Sequence, residues 1–131
     1  MDFEFKIGVL ETAQDVVTEQ NTAAFMGSGS LPVYATPAML ALMEKASALL
    51  AQKSLPDVMS TVGILLNVKH IAATPVGMKV RAESELVLVE GRKLTFKVTA
   101  FDEKEKIAEG IHERFVITKE SFLQKAEAKL Y

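Results

Sequence analysis

The stretch Thr36-Pro37-Ala38-Met39-Leu40-Ala41-Leu42-Met43-Glu44-Lys45-Ala46-Ser47-Ala48-Leu49-Leu50 predicts a long central helix. Most of these residues are good helix formers, and the run opens with a start signal. Thr36 is able to cap the first turn with its hydroxyl, and Pro37 suits the first helical position, where an N–H has no partner in any case. Because the run is apolar on almost every side, we expect a helix from about residue 37 to 53 that is buried over most of its surface.

Glu44 is the single acidic residue in this apolar run. A buried carboxylate is costly unless it is paired, hydrated or neutralised. We therefore interpret Glu44 as a residue with a chemical role. The alternative is an ordinary helix residue that faces solvent beside Lys45.

Length and composition bound the class of protein. A chain of 131 residues fits one domain, residues 1–131, with a real core. The net charge of -2 gives no sign of a nucleic-acid or anionic-membrane partner. The absence of cysteine excludes disulfides and thiolate sites, and two histidines do not favour a multi-histidine metal centre. No signal peptide or membrane-spanning run is recognisable, so a cytoplasmic protein is expected.

Alternating hydrophobicity predicts strands on both sides of the helix. An N-terminal strand is expected at 3–10, and four longer ones at 60–71, 78–89, 93–101 and 107–117. The segment 15–25 is ambiguous between a short strand and a helical turn. Thr118 is expected to cap a final helix that ends near Lys129.

Short turns between the four long strands predict an antiparallel meander. An antiparallel sheet wrapped around one long helix is an α+β architecture. On the second strand, Val80, Ala82, Leu86 and Leu88 are expected to share the core face. Apolar residues on the outer strands favour burial against a second copy; these residues are Val87, Val89, Ile107 and Ile111. A homodimer is therefore expected, and two such dimers are able to pair into a dimer of dimers.

Four segments resemble a known family in one consistent register. They are 35–46, which contains the start of the helix, 68–77 (Val-Lys-His-Ile-Ala-Ala-Thr-Pro-Val-Gly), 89–92 (Val-Glu-Gly-Arg) and 110–117 (Gly-Ile-His-Glu-Arg-Phe-Val-Ile). Together they resemble the fluoroacetyl-CoA thioesterase-like proteins, a branch of the hotdog-fold thioesterases, over residues 35–118. The resemblance implies a hotdog fold and thioester hydrolysis.

The resemblance also implies roles for individual residues. It places the family's catalytic threonine, glutamate and histidine at Thr36, Glu44 and His70. The glycine that lies against the substrate falls on Gly63, and a family arginine falls on Arg114. The chain departs from the pattern before the helix, where Gly27 and Ser30 replace the two phenylalanines that control access to the acyl pocket in the fluoroacetate-specific enzyme. Thioester hydrolysis is therefore expected, but selectivity for a fluorinated acyl group is not.

The residues themselves are suited to this chemistry. A helix N-terminus offers unpaired N–H groups for a developing oxyanion, and because Pro37 has none, the donors would be Ala38, Met39 and the Thr36 amide. Glu44 lies about 12 Å further along the helix axis and about 80° around it from Thr36, so a thioester carbonyl fits between them. A neutral His70 is able to take a proton from Thr36 or from water, or to orient Glu44. The sequence leaves nucleophilic and general-base mechanisms open.

Simpler roles exist for each of these residues. Thr36 could serve only as the N-cap of the helix. His70 could be a histidine at the end of a strand whose ring is hydrogen-bonded to the backbone. Gly63 marks either a β-bulge or a close approach. His112 and Arg114 share a strand face, either as a hydrogen-bonded structural pair or at an interface, with Arg114 a weaker candidate for substrate contact.

The function that these features predict best is hydrolysis of an acyl-CoA thioester with a short or medium acyl group. No metal or cofactor is expected, and coenzyme A enters only as part of the substrate, with an acyl carrier protein as the alternative carrier. Two other functions stay open. One is a hotdog enoyl-thioester hydratase, and the other is a non-catalytic module that binds acyl-CoA or another small ligand.

Overall fold

The computed structural model describes residues 4–131, which form a five-stranded sheet and one long helix with short accessory helices. Two short 3₁₀ turns lie at Glu19–Asn21 and Ala128–Leu130. In chain order the main elements are β1 (Leu10–Val16), α1 (Ala23–Met26), α2 (Thr36–Gln52), β2 (Met59–His70), β3 (Lys79–Glu90), β4 (Lys93–Phe101), β5 (Lys106–Thr118) and α3 (Lys119–Glu127).

The sheet has the order β1-β3-β4-β5-β2, with every neighbouring pair antiparallel. Helix α2 lies against one face and contacts β1, β2, β3 and β4. Between helix and sheet lies a continuous apolar core that includes Met39, Met43, Leu86, Leu94 and Phe96. The predicted α+β arrangement, a sheet wrapped around one central helix, is confirmed.

The predicted meander is wrong at its first connection. Strand β2 pairs with β5 at the sheet edge and not with β3, so residues 71–78 cross from one side of the sheet to the other. Three strand spacings amount to about 14 Å, which eight residues span easily. The crossing is held by hydrogen bonds from the Ile71 amide to the Ile107 carbonyl (2.7 Å) and from the Tyr34 amide to the Thr74 carbonyl (2.9 Å).

The N-terminal strand is also displaced from its predicted position. Strand β1 begins at Leu10, after a turn in which Gly8 has a φ of 89°. Phe5 packs against the core but Ile7 and Val9 are exposed, so the alternation that predicted a strand at 3–10 does not mark a continuous core face. Phe3 of that prediction lies outside the described residues. The ambiguous segment after β1 contains α1, which Thr22 caps by accepting from the Phe25 amide.

Helix α2 runs from Thr36 to Gln52, close to its predicted bounds, but its N-cap is Ala35 and no side chain caps it. The expectation that Thr36 caps the helix is therefore wrong. The expectation of burial on most sides holds for 12 of its 17 residues, which are buried or half-buried, whereas one stripe of positions spaced four residues apart faces away from the sheet. These exposed positions are Pro37, Ala41, Lys45 and Leu49.

Three expectations about the other elements need correction. Ile107 is fully buried in the core and is not an outer-surface residue. Leu88 is 47% exposed because the β3–β4 register shifts between Leu86 and Leu88, which ends the alternation of the core face. Thr118 precedes α3 but makes no capping hydrogen bond with its side chain.

Strand β2 forms one edge of the sheet, and no strand within residues 4–131 pairs with its outer side. Its middle stretch, residues 63–67, is exposed, including Ile64 at 50%. A long apolar edge with unpaired backbone groups is a ready site for pairing with another chain.

Candidate active site

The hydroxyl of Thr36 and the imidazole of His70 meet beside the start of α2. Thr36 is the first residue of the helix, and His70 is the last residue of β2. The Thr36 Oγ1 atom lies 2.8 Å from His70 Nδ1, a normal hydrogen-bond distance between a hydroxyl and an imidazole nitrogen. The hydroxyl that the sequence suggested as a cap is thus directed to the histidine, and two residues 34 positions apart form one pair.

The surroundings of His70 favour its neutral form. Burial lowers the pKa of the imidazole, and a weaker interaction with the Ala72 backbone acts in the opposite direction. The second ring nitrogen, Nε2, is buried and has no hydrogen-bond partner within residues 4–131. A neutral ring that carries its proton on Nε2 accepts from the Thr36 hydroxyl through Nδ1, which is the orientation required of a general base.

A cleft of about 330 Å³ opens beside this pair. One wall includes Thr36, His70 and the first residues of the crossing loop, and the other comes from the segment that precedes α2. The loop residues where a pair of phenylalanines was expected in the family, Gly27 and Ser30, do not line the cleft, but Ser28 between them does. The lining residues are Ala23, Ser28, Val33, Tyr34, Thr36, His70, Ile71, Ala72 and Ala73.

Glu44 lies two turns further along α2 and faces the sheet. Its carboxylate is 3.6 Å from an Arg114 guanidinium nitrogen, and its side chain is 40% exposed. The expected burial of the Glu44 carboxylate is therefore only partial, and the carboxylate is paired with a cation. A methyl group built on Gly63 would lie 2.6 Å from Glu44 Oε2. Both interpretations of Gly63 hold, since the β2–β5 register also shifts between Gly63 and Leu65.

Arg114 is held by a set of hydrogen bonds that the sequence did not predict in full. Its Nε donates to Thr61 Oγ1 at 2.8 Å and its Nη2 to the Thr61 carbonyl at 2.9 Å. Its Nη1 lies 3.2 Å from His112 Nε2, which confirms His112 and Arg114 as a hydrogen-bonded pair on one face of β5. The signal for that pair was the alternation along 110–117. Nothing in the sequence indicated Thr61, which the strand pairing places near Arg114.

Within one chain the Thr36–His70 pair and the Glu44–Arg114 pair lie apart from each other. Glu44 makes its ion pair with Arg114 and has no contact with Thr36 or His70 in the described structure. Gly63, beside Glu44, and His70 are separated by seven residues of β2, about 23 Å of extended strand. The expectation that Glu44 directly assists His70 is therefore not met by a single subunit.

The first turn of α2 offers fewer free donors than expected. The Met39 amide donates to the Ala35 carbonyl at 3.0 Å, so it is not available to a substrate. Pro37 has no N–H, and within residues 4–131 no hydrogen bond is found for the amides of Thr36 and Ala38. These two groups, at the positive end of the helix dipole, are the remaining candidates for binding an oxyanion.

Two buried polar features of α2 and its approach were missed by the sequence. Ser47 lies in the core and makes a 2.7 Å hydrogen bond with Ser84 of β3. Tyr34 is buried, its hydroxyl has no hydrogen-bond partner among the residues that the structure describes, and burial raises its pKa above the ordinary range. In the part of the chain from residue 4 onward, no group of three or more metal-binding side chains is found. No helix in that part is long and apolar enough to cross a membrane.

Comparisons with known proteins agree with this geometry. A family model described as fluoroacetyl-CoA-specific thioesterase matches residues 17–120. The fluoroacetyl-CoA thioesterase of Streptantibioticus cattleyicolor is 40% identical over 97 residues, which cover 74% of this chain and 70% of that protein.

Solved structures extend the likeness to the whole fold. The structure of the fluoroacetyl-CoA thioesterase FlK has a TM-score of 0.90 at 34% identity and covers 96% of this chain and 98% of its own. The Thermus thermophilus protein TTHA0967, described as a thioesterase superfamily member, has a TM-score of 0.87 at 26% identity and covers 97% and 96%.

Proposed function

Because the chain belongs to the fluoroacetyl-CoA-specific thioesterase family and is therefore a thioester hydrolase of the hotdog fold, we propose that it hydrolyses short or medium acyl groups carried on coenzyme A. Coenzyme A is part of the substrate in this proposal, and no separate cofactor or metal takes part. The cytoplasmic location expected from the sequence stays a prediction.

The observation that supports this proposal most is the 2.8 Å contact between Thr36 Oγ1 and His70 Nδ1 at the wall of a cleft. A hydroxyl bonded to a neutral imidazole is the arrangement of an activated nucleophile, and the same imidazole is able to activate a water molecule. In either case His70 accepts a proton as the carbonyl carbon is attacked. The proton is then available to the coenzyme A thiolate that leaves. If water attacks, the carboxylic acid forms directly. If Thr36 attacks, the acyl ester on its hydroxyl is then cleaved by a water molecule whose proton His70 accepts and returns to the Thr36 oxygen.

The negative charge that develops on the carbonyl oxygen needs donors. The Thr36 and Ala38 amides lie in the first turn of α2, next to the nucleophile, and the helix dipole favours an anion there. In this proposal Ala38 contributes through its backbone. Met39 contributes no donor, because its amide is bonded to the Ala35 carbonyl, and its side chain is buried in the core.

We place Glu44 in the site of a neighbouring subunit. The exposed stretch 63–67 of β2 is suited to antiparallel pairing with a second copy of the same strand. In such a pair a twofold axis passes through one position of 63–67. Depending on that position, Gly63 lies opposite a residue between 63 and 71 of the partner strand. Glu44 and Arg114 of one subunit thereby approach the cleft that holds Thr36 and His70 of the other, and the homodimer has two complete sites.

The acyl group is not restricted to fluoroacetyl in this proposal. Structures of FlK variants contain acetyl-CoA, or fluoroacetate and CoA, which shows the substrate class that this relative binds. In the chain described here the loop before α2 has Gly27 and Ser30 where that family's access-controlling phenylalanines were expected. Neither of these two residues lines the cleft, whose wall on this loop is Ser28, and its small side chain leaves room for longer acyl chains.

The test is thiol release from a panel of acyl-CoA and acyl-carrier-protein thioesters, followed with a disulfide reagent. We expect release from acyl-CoA esters of two to about ten carbons, with turnover in the ordinary enzyme range. Consumption of an enoyl-CoA without thiol release indicates a hydratase instead. Saturable binding with no conversion of any ester indicates a binding module.

Mixed dimers test the shared site. The variants Thr36→Ala and Glu44→Ala are each expected to lose activity as pure proteins. When the two are co-expressed at equal levels, half of the dimers are mixed and each has one intact site, so about a quarter of the wild-type activity should return. No recovery above the two pure variants places all three residues in one subunit, and a monomeric protein removes the dimer from the proposal.

A further inference from the structure

Two hydrogen bonds and one ion pair connect the backbone of the edge strand β2 to Glu44 through two residues of β5. The carbonyl of Leu65, just past the β2 bulge, lies 2.8 Å from His112 Nδ1. His112 Nε2 lies 3.2 Å from Arg114 Nη1. The same Arg114 nitrogen lies 3.6 Å from the Glu44 carboxylate.

These contacts fix the protonation state of the His112 ring. A carbonyl is only an acceptor, so Nδ1 must carry a proton to bind Leu65. A guanidinium is only a donor, so Nε2 must be unprotonated to bind Arg114. The ring is therefore the neutral Nδ1–H tautomer, and both of its nitrogens are used. His112 is fully buried, so water does not replace either partner.

We propose that His112 is a positioning residue of the thioesterase site, which holds Arg114 so that its Nη1 group faces the Glu44 carboxylate beside Gly63. The inference rests on the proposed function for its kinetic consequence, but the geometry of the hydrogen bonds stands apart from it. His112 does not touch the substrate. It acts through Arg114, and Arg114 acts on Glu44.

His112 adds a third hydrogen bond to a guanidinium that Thr61 already holds by two. Thr61 takes Nε and Nη2 of Arg114, on the side away from the acid. His112 is the neutral acceptor of Nη1, the nitrogen closest to Glu44. A methyl group on Gly63 would lie 3.2 Å from His112 Cε1 and 3.4 Å from Arg114 Nη1, so these side chains and Glu44 converge on one glycine.

Burial and the Arg114 guanidinium favour the neutral ring of His112, against the two carboxylates that face it. Burial is the main cause that lowers its pKa, and the Arg114 guanidinium on β5 acts in the same direction. The Leu65 carbonyl on β2, Glu44 on α2 and Glu113 on β5 act in the opposite direction. A protonated ring would lose its acceptor nitrogen and place a second cation against Arg114.

Substitution of His112 by glutamine and by asparagine separates its two hydrogen bonds. A glutamine oxygen reaches the position of Nε2 and accepts from Arg114, whereas an asparagine amide reaches only the position of Nδ1 and donates to Leu65. With an acyl-CoA substrate, H112Q should keep kcat within about threefold of the wild-type value. H112N and H112L should each lower kcat at least ~10-fold, while KM changes less than about threefold. Equal losses in H112Q and H112L, or wild-type kcat in H112N, overturn the proposal.

F96L is the matched control. Phe96 is as buried as His112 and its ring centroid lies 6.1 Å from that of His112, but it takes no part in the hydrogen-bond chain. We expect F96L to lower the unfolding temperature with an unchanged kcat in the folded protein. A kcat loss in F96L as large as in H112L would make His112 a packing residue and reject the positioning role.

Nitrogen NMR of the ring decides the geometry without any substrate. In wild-type protein, long-range proton–nitrogen correlations should show Nδ1 protonated and Nε2 unprotonated from about pH 6 to 8. A ring protonated on Nε2, or on both nitrogens, in that range overturns the proposal even if the enzyme is active. If no thioester is hydrolysed but the tautomer is as expected, the proposed function fails and the positioning role is tested without turnover. The Arg114 guanidinium resonances should then match those of wild type in H112Q and differ from them in H112L.

Discussion

Thr36 Oγ1 and His70 Nδ1 lie 2.8 Å apart, although 34 residues of chain separate them. The contact joins the first turn of the central helix to the end of the edge strand. It depends on the crossing loop 71–78, which anchors the end of β2 beside the helix by its bonds to Tyr34 and Ile107.

Removal of the Thr36 hydroxyl alone tests what this contact does. Valine has nearly the shape of threonine, so Thr36→Val should leave the fold unchanged and lower kcat/KM at least ~100-fold, the scale of a lost acid–base partner. Thr36→Ser keeps the hydroxyl and should retain far more activity. Steady-state kinetics with the best acyl-CoA substrate provides the measurement, and a Thr36→Val enzyme as active as wild type would leave His70 acting on water alone.

The pH dependence of activity follows from the lowered pKa of His70. The neutral ring is the active base, so kcat/KM should be constant at neutral pH and fall as the pH drops through the pKa of His70 in the folded protein. Because burial lowers that pKa, the fall should begin below the ordinary histidine value of about 6.5. A midpoint above that value contradicts the assignment.

The same shifts make folding stability depend on pH in a defined window. Both histidines have lowered pKa values, so near and below about pH 6.5 the unfolded chain binds more protons than the folded one, and the free energy of unfolding falls with the pH. The free energy of unfolding has its full value above that pH. It decreases as the pH falls toward the pKa values of the two histidines in the folded protein. Thermal unfolding between pH 7.5 and 5.5 measures the effect, with H112Q expected to show a smaller slope than wild type.

Two glycines of the β2–β5 pair should respond differently to alanine. At Gly63 the added methyl group meets the end of the flexible Glu44 side chain, which is able to swing away, and the His112 ring at 3.2 Å, which has to shift by a few tenths of an ångström. At Gly110 it would overlap the backbone carbonyl of Asn67. We therefore expect Gly63→Ala to fold and to lower kcat at least ~10-fold, and Gly110→Ala to lose more than about 2 kcal/mol of stability.

Thermal unfolding and kinetics on both variants test this contrast. The contact of Glu44 with Gly63 matters for catalysis only if Gly63→Ala separates activity from stability. A Gly63→Ala protein with full activity shows that the position of Glu44 beside this glycine is not needed.

The sequence predicted the architecture better than its details, for reasons visible in individual residues. The helix at 36–52 was predicted almost to the residue from its good helix formers and its Thr36-Pro37 start, and the strand at 93–101 from its regular alternation between two turns. The strand order was not predictable from short turns, since the eight residues 71–78 are long enough either for a hairpin or for a crossing.

The candidate site was predicted only in part for a similar reason. Thr36 and His70 were identified through the resemblance, and the structure brings them together. Thr61 and Ser84 were missed, because the roles of both depend on strand pairing and helix packing that no local pattern shows. The Glu44 carboxylate was expected beside His70, and the structure pairs it with Arg114 instead.

The buried serine pair offers a test of core packing. Ser47 Oγ also contacts the Met43 carbonyl at 2.9 Å, so its hydroxyl connects the helix backbone to Ser84 on the sheet. Ser47→Ala leaves the Ser84 hydroxyl without a partner in an apolar core and should cost about 1–3 kcal/mol. The double variant should cost less than the sum of the two single ones, since both polar groups are then gone. Denaturant unfolding of the four proteins measures the coupling, and strictly additive losses would contradict the bond.

Substrate choice should respond to the loop residue that touches the cleft. Ser28 lines the cavity beside Thr36 and His70, so a phenylalanine there fills part of its volume of about 330 Å³ and excludes longer acyl chains. Gly27 is a poor place for the same test, because its φ of 78° strains any other residue. Ser30→Phe is the matched control on the same loop, since Ser30 does not line the cleft. We expect Ser28→Phe to lower kcat/KM for medium acyl-CoA esters at least ~10-fold relative to acetyl-CoA, and Ser30→Phe to change that ratio less. The reverse order would mean that the loop changes position when substrate binds, and that Ser30 then forms the wall of the acyl site.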